Sequence, residues 1–301
     1  MDSIPPGPGN AFPPFVLSAP LEQTLPLVCA SPHSGREYPP GFLSHCALDR
    51  QALRRSEDSF VDEIFAAAPG LGAPLLCALF PRVYVDANRE PYELDPLMFE
   101  DELPAYANTR SPRVAAGLGT IARVVAGGDD IYARKLRVGD ALARIEACYR
   151  PYHAALSGLV EATTMRFGCS ILLDCHSMPS ATGPSAGGPA DTDGGRATAD
   201  FVLGDCFGSA CAPVVVETVE TRLRAKGYRV VRNAPYAGGY TTRHYGRPQD
   251  GLHALQIEIN RALYMDERAL ERTAYLPTLA RDMREVLKEL GRLTLRQLAD
   301  R

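Results

Sequence analysis

The sequence predicts an α/β fold: a mostly parallel sheet covered by helices on both faces, in a single domain over 1–301. Three observations carry that prediction. Short apolar runs alternate along the chain with longer stretches of helical periodicity. Several of the runs, CSILLDCHS at 169–177 among them, are apolar almost throughout, as strands buried inside a parallel sheet are. Polar side chains capable of chemistry stand just after the runs, where open α/β sheets keep their ligand crevice.

Residues 1–20, rich in Pro and Gly, read as a loosely structured arm. PLVCAS (26–31) is a short apolar run closing on a Ser-Pro-His turn and reads as a buried strand. Over 50–68, Leu53, Phe60, Ile64 and Phe65 fall near one face of a helix. PLLCALF (74–80) and RVYVDAN (82–88) read as two further strands, whereas 99–128 shows no dominant period. Leu136, Val138, Leu142, Ile145, Tyr149, Leu156, Val160 and Met165 recur at helical intervals over 131–167, with Pro151 marking a kink. The strand at 169–177 follows, and then MPSATGPSAGGPADTDGG (178–195), which lacks apolar periodicity and is the candidate for a lid. FVLGD (201–205), GYRVVRN (227–233) and ALQIEIN (254–260) read as strands, and 210–226 and 266–297 as helical.

Composition narrows the function classes. Hydrophobic residues, 46% of the chain, suffice for a sizeable core. Thirty-two Lys and Arg stand against 36 Asp and Glu, a net charge of −4, which gives no basic surface for nucleic acid or an anionic membrane. The uncharged run Ile64 to Pro81 holds Pro69, Pro74 and Pro81 besides Gly70 and Gly72, so it reads as helix end, turn and buried strand, not as a membrane span. Eight cysteines include no C-x-x-C pair, and the opening MDSIPPGPGN is unlike a signal peptide, so reduced thiols and a cytoplasmic protein are expected. Neither a Walker A run nor H-E-x-x-H occurs.

The chemistry-bearing residues cluster at the ends of the apolar runs. His33 follows the first, in SPHSGREYPP, and His176 ends another, in DCHS. Asp174 precedes His176 by two, so both lie on one strand face and the acid can support the imidazole. Two histidines at one rim point to a shared metal. A zinc site open for catalysis takes three protein ligands and a water. The third ligand is to be sought among Glu37, Glu57, Asp58 and Asp62, and spacing alone leaves the choice open. With RRSEDSFVDEIF read as helical, Asp58 and Asp62 share a face. Glu258, among isoleucines in QIEIN, is either half of a structural ion pair or a general base. Arg89, after Asp86 and Asn88, is either a bidentate carboxylate clamp or a structural partner of Asp86 or Glu90. GGYTTRHYGRP (238–248), with Arg243 and His244, reads as a loop that approaches a ligand closely.

Taken together these motifs resemble the N-formylglutamate amidohydrolase family. The likeness rests on Pro32-His33-Ser34-Gly35, the acids Glu57 and Asp58, Asp86-x-Asn88-Arg89, Asp174-x-His176-Ser177, Gly238 to Gly246, and Gln256-x-Glu258. The resemblance implies a three-layer α/β/α fold of the zinc-peptidase type, related to zinc carboxypeptidases and aspartoacylase-like deacylases. It favours Asp58 as the acidic ligand. Carboxypeptidases place theirs in H-x-x-E, and position 36 here is Arg. One Zn2+ per chain is then expected on His33, Asp58 and His176, with Glu258 and Arg89 as catalytic residues. Asn88, Gly239, Arg243 and His244 are expected to bind a small acidic N-acyl amino acid, cleaved to formate and glutamate by a metal-activated water. Alternatives are a carboxypeptidase-like peptidase, another N-acyl-amino-acid deacylase, and a non-catalytic module that binds acidic small molecules.

Overall fold

Seven strands carry the architecture: β1 (Phe15–Ser18), β2 (Leu27–Ser31), β3 (Leu75–Ala78), β4 (Ser170–Met178), β5 (Phe201–Gly204), β6 (Val230–Arg232) and β7 (Leu252–Asn260). The structure is a computed structural model that describes residues 12–180 and 199–299. The expected lid segment 178–195 lies outside the described residues from 181 onward, as do residues 1–11 of the expected arm. Within the rest of that arm, β1 is a strand, and Leu79 N–H fixes its approach by donating to Pro14 O at 3.0 Å. The chain divides into two compact units, one of Met1–Leu17, Pro32–Ser59 and Leu76–Ser157, the other of Ser18–Ser31, Phe60–Leu75 and Gly158–Arg301.

In the second unit the strands run β2-β4-β7-β5-β6. β2 pairs with β4, β4 with β7 and β5 with β6 in parallel, and β5 pairs with β7 antiparallel, so the sheet is mixed but mostly parallel. β2, β4 and β5 are buried at every position, which explains their unbroken apolar character. The helix Leu276–Leu290 buries Leu276, Leu279, Met283, Val286, Leu287 and Leu290, a spacing that turns one stripe inward, and it packs on the helix Pro213–Ala225. Of the stretch 266–297 read as helical, Met265–Asp266 and Glu271–Arg272 instead form a two-stranded ribbon. His253, on β7, is a satisfied core histidine: Nδ1 accepts from Ala212 N at 3.1 Å, and burial pushes its pKa down to about 4.

In the first unit, Tyr38, Phe42, Leu53, Val83, Ala122, Val125 and Ile131 form one cluster of the hydrophobic core. Beside it the guanidinium of Arg144 lies 4.6 Å from the Tyr84 ring centroid and donates to Tyr132 Oη at 2.8 Å, so aromatic side chains supply much of the partnering of this buried cation. Two expectations are corrected here. RVYVDAN is not a strand: Pro81 opens a turn whose carbonyl receives Tyr84 N at 2.9 Å, and Asp86 N is turned to Thr120 O. Nor is 50–68 one helix. Arg50–Arg54 is helical, capped by Asp49 accepting from Ala52 N at 2.8 Å, and the chain then turns until Val61. Phe60 takes a φ of +66°, which no right-handed helix can contain. Asp58 and Asp62 therefore do not share a helical face. Helix Val138–Arg144 passes through a π-helical turn, Ile145–Tyr149, into Arg150–Phe167. That wider turn sits just before Pro151, which has no N–H to continue the ladder.

Candidate metal centre

His33, Asp58 and His176 each offer a ligand atom lying within 4.8 Å of the others, and all three side chains are buried, at 1%, 0% and 2% exposure. Local structure explains how each is delivered. The turn after β2 presents His33, whose carbonyl accepts from Asp58 N at 3.0 Å, so the backbones of two of the three are tied directly. Gly35 lets that turn lie on the Leu79–Phe80 backbone: a Cβ there would overlap the carbonyl oxygen of Phe80. Gly35→Ala is accordingly expected to destabilise the fold by about 1–3 kcal/mol, as overpacking against backbone does. Urea unfolding measures it, and an unchanged midpoint would remove the steric reading of this glycine.

Asp58 comes from the 55–60 turn, and its neighbour Glu57 holds that turn in place. The Glu57 carboxylate accepts from Tyr38 Oη at 2.7 Å, from Arg54 Nε at 2.9 Å and from Ser59 Oγ at 3.0 Å. Glu57 is thereby engaged structurally, Glu37 is exposed, and Asp62 sits in the short helix Val61–Ile64 outside the group. Of the four acids open at the sequence level, the structure brings Asp58 alone to the two histidines.

Both imidazoles carry a carboxylate on Nε2. His33 Nε2 meets Asp86 Oδ1 at 2.7 Å, while its Nδ1 lies 3.4 Å from Asp58 Oδ2. His176 Nε2 lies 3.0 Å from Asp174 Oδ1, an ion-pair distance. At His33 the hydrogen bond to Asp86 fixes the tautomer that presents Nδ1 as a lone pair, the arrangement that supports histidine ligation of metals. Two nitrogens and one carboxylate oxygen, buried and so supported, suit a zinc-type ion. Asp86 is itself held by Arg82 Nη2 at 2.8 Å, by Asn88 N at 2.9 Å and by Arg89 Nη2 at 3.6 Å. Burial pushes its carboxyl up, but Arg89, His33 and Arg82 outweigh that and hold it well below the usual carboxylate range.

The remaining expected site residues fall into two sets. Arg89 donates through Nε to Leu118 O and through Nη1 to Asn88 O, both at 2.8 Å, so two edges of its fork lie on backbone carbonyls. Glu258 stands on β7 directly across from His176 in the parallel register, and Gln256 across from Asp174. The stretch expected to be a loop at 238–248 contains a helix, Tyr240–Tyr245, packed on β7 and β4. Arg243 on it is exposed and donates to Gly238 O at 3.1 Å, and His244 stacks on Tyr240 at 4.8 Å. Burial, and after it the charge of Arg247, lower the pKa of His244. Gly239, the residue before this helix, donates its N–H to Gln256 Oε1 at 2.7 Å. Reading from sequence missed two structural roles, Asp86 as the carboxylate on His33 and Glu57 as the anchor of the 55–60 turn. It also left the contacts of Gln256 unread, though its place two residues before Glu258 already put both on one strand face.

Fold and site together define an α/β protein with a candidate metallohydrolase centre. The chain belongs to the N-formylglutamate amidohydrolase family, whose sequence profile matches residues 25–265. It is 30% identical to an N-formylglutamate deformylase of Pseudomonas putida over 92% of this chain and 95% of that protein. It is 29% identical to the N-formylglutamate deformylase of Pseudomonas aeruginosa over 88% and 91%. Among solved structures, the N-formylglutamate amidohydrolase from Ralstonia eutropha JMP134 superposes with a TM-score of 0.84 at 41% identity, covering 92% of this chain and 97% of that one.

Proposed function

We propose that the chain hydrolyses N-formyl-L-glutamate, or a closely related N-acyl amino acid, to formate and glutamate, with one zinc ion held by His33, Asp58 and His176. The observation that carries this reading is the buried group itself, with its two carboxylate-backed imidazoles and with Glu258 in register beside His176. A zinc ion there supplies Lewis acidity toward the water and the formyl carbonyl. The chain's own residues do the rest. Glu258 Oε1 accepts from Gln256 Nε2 at 2.8 Å, which holds the carboxylate in place. That carboxylate takes a proton from the attacking water and returns it to the amine nitrogen as the C–N bond breaks. Arg243 answers a substrate carboxylate from the 240–245 helix, on the segment that also carries Gly239 and His244, and Asn88 is assigned a part in substrate binding. Arg89, its fork largely on carbonyls, holds Asp86 and adds positive charge beside it. The same reading carries a three-layer fold of the zinc-peptidase type. None of the eight cysteines is in a disulfide, which supports a place in the cytoplasm.

The test is a substrate panel on protein of known metal content. Near one zinc per chain and release of formate from N-formyl-L-glutamate are expected, with release stopped by a chelator and restored by zinc. Arg243→Ala should narrow the preference for N-formylglutamate over a neutral N-formyl amino acid by about tenfold or more, the worth of a charged hydrogen bond. Metal-loaded protein that binds N-formylglutamate and returns it unchanged would overturn the proposal.

A further inference from the structure

We propose that Gln256 is a positioning residue, whose side-chain amide holds the Glu258 carboxylate on one side and the turn that carries Arg243 on the other. This rests on the reading of Glu258 as the proton-transferring group. Gln256 and Glu258 are two apart on β7, so their side chains share a face, and both are buried. Across the sheet they face Asp174 and His176 respectively. The orientation of the amide is dictated by its partners. Gly239 N–H can only donate, so Oε1 turns to it at 2.7 Å, and Nε2 is thereby directed at Glu258 Oε1, 2.8 Å away.

The turn on the far side of this link has little slack. Gly238 has a φ of +127°, and a Cβ there would come within 2.7 Å of Cys206 Sγ and 3.1 Å of Thr242 Cβ. Gly204, the residue of β5 paired with Gln256, is bare because the backbone of Ala237 and Gly238 lies on it, 2.7 Å from where a Cβ would be. The turn therefore rests on the β5–β7 pair directly over Gln256, and Gly239 opens the Tyr240–Tyr245 helix. One amide thus fixes both the carboxylate that moves protons and the base of the segment that meets the substrate's charge.

Two substitutions separate its two hydrogen bonds. Gln256→Glu keeps an oxygen for Gly239 N–H but sets a carboxylate oxygen against Glu258. Gln256→Leu removes both partners at similar volume. Gln256→Glu is expected to lower kcat by about tenfold to a hundredfold, the worth of one charge-assisted hydrogen bond, with KM for N-formyl-L-glutamate unchanged. Gln256→Leu should lower kcat similarly and also raise KM. On the Glu258→Gln background, Gln256→Glu should cost little further, because its effect runs through Glu258. Hydrogen exchange supplies a readout independent of turnover: the Gly239 amide should be protected in wild type and in Gln256→Glu, and exchange faster in Gln256→Leu. Wild-type kcat in Gln256→Glu, or an equal loss persisting without Glu258, would overturn the positioning role. Should metal-loaded wild type release no formate, the proposed function fails, while the contrast in Gly239 exchange still decides whether Gln256 holds the turn.

Discussion

With the proposed zinc loaded, Glu258→Gln is expected to lower kcat by about two to four orders of magnitude while the metal content stays unchanged. The neutral amide has nearly the shape of the carboxylate but cannot take up the water's proton. Gln256 can still face it, because a side-chain amide offers an oxygen where the carboxylate did. Elemental analysis beside steady-state kinetics decides the matter. Loss of zinc together with activity would make Glu258 a ligand and would require the roles of Asp58 and Glu258 to be redrawn. Activity within a few-fold of wild type would remove Glu258 from the chemistry.

The second large effect is expected one step away from the ligands. Asp86→Asn and Asp174→Asn should each weaken metal affinity by about 10- to 100-fold, measured by competition with a chromophoric chelator. Each exchanges the carboxylate beside an imidazole, 2.7 Å from His33 Nε2 and 3.0 Å from His176 Nε2 respectively, for a neutral amide that supports the ligand less strongly. Asp86→Asn should cost more, since it also strips the charge that Arg82 and Arg89 surround. Unchanged affinity in both variants would mean that the histidines are oriented by packing alone.

The residues of the centre were legible because buried parallel strands announce themselves. The unbroken apolar run before Asp174 and His176 located β4, and ALQIEIN located β7, so both the rim and its occupants followed. What was not legible came from backbone turns that no periodicity records. RVYVDAN alternates as a strand should, yet Pro81 and the bond from Asp86 N to Thr120 O bend it into turns. The helix expected over 50–68 is broken where Tyr38, distant in sequence, and Ser59 both donate to the Glu57 carboxylate, and where Phe60 adopts a left-handed backbone. Tertiary hydrogen bonds override local propensity in both cases. For the same reason spacing could not choose among four acids, and only the fold of that turn brings Asp58 forward.

The position of Glu57 bears on any attempt to move this centre elsewhere. Grafting His33, Asp58 and His176 onto another α/β scaffold would transfer the donors without the buried carboxylate that Tyr38, Arg54 and Ser59 grip, and so without the bend that delivers one of them. A transplant faithful to this protein is therefore a loop with its anchor, not a triplet of side chains. Adjacent acids in a sequence can hold unrelated posts, one in the candidate ligand group and one gripping the scaffold, and exchanging them is not a conservative edit.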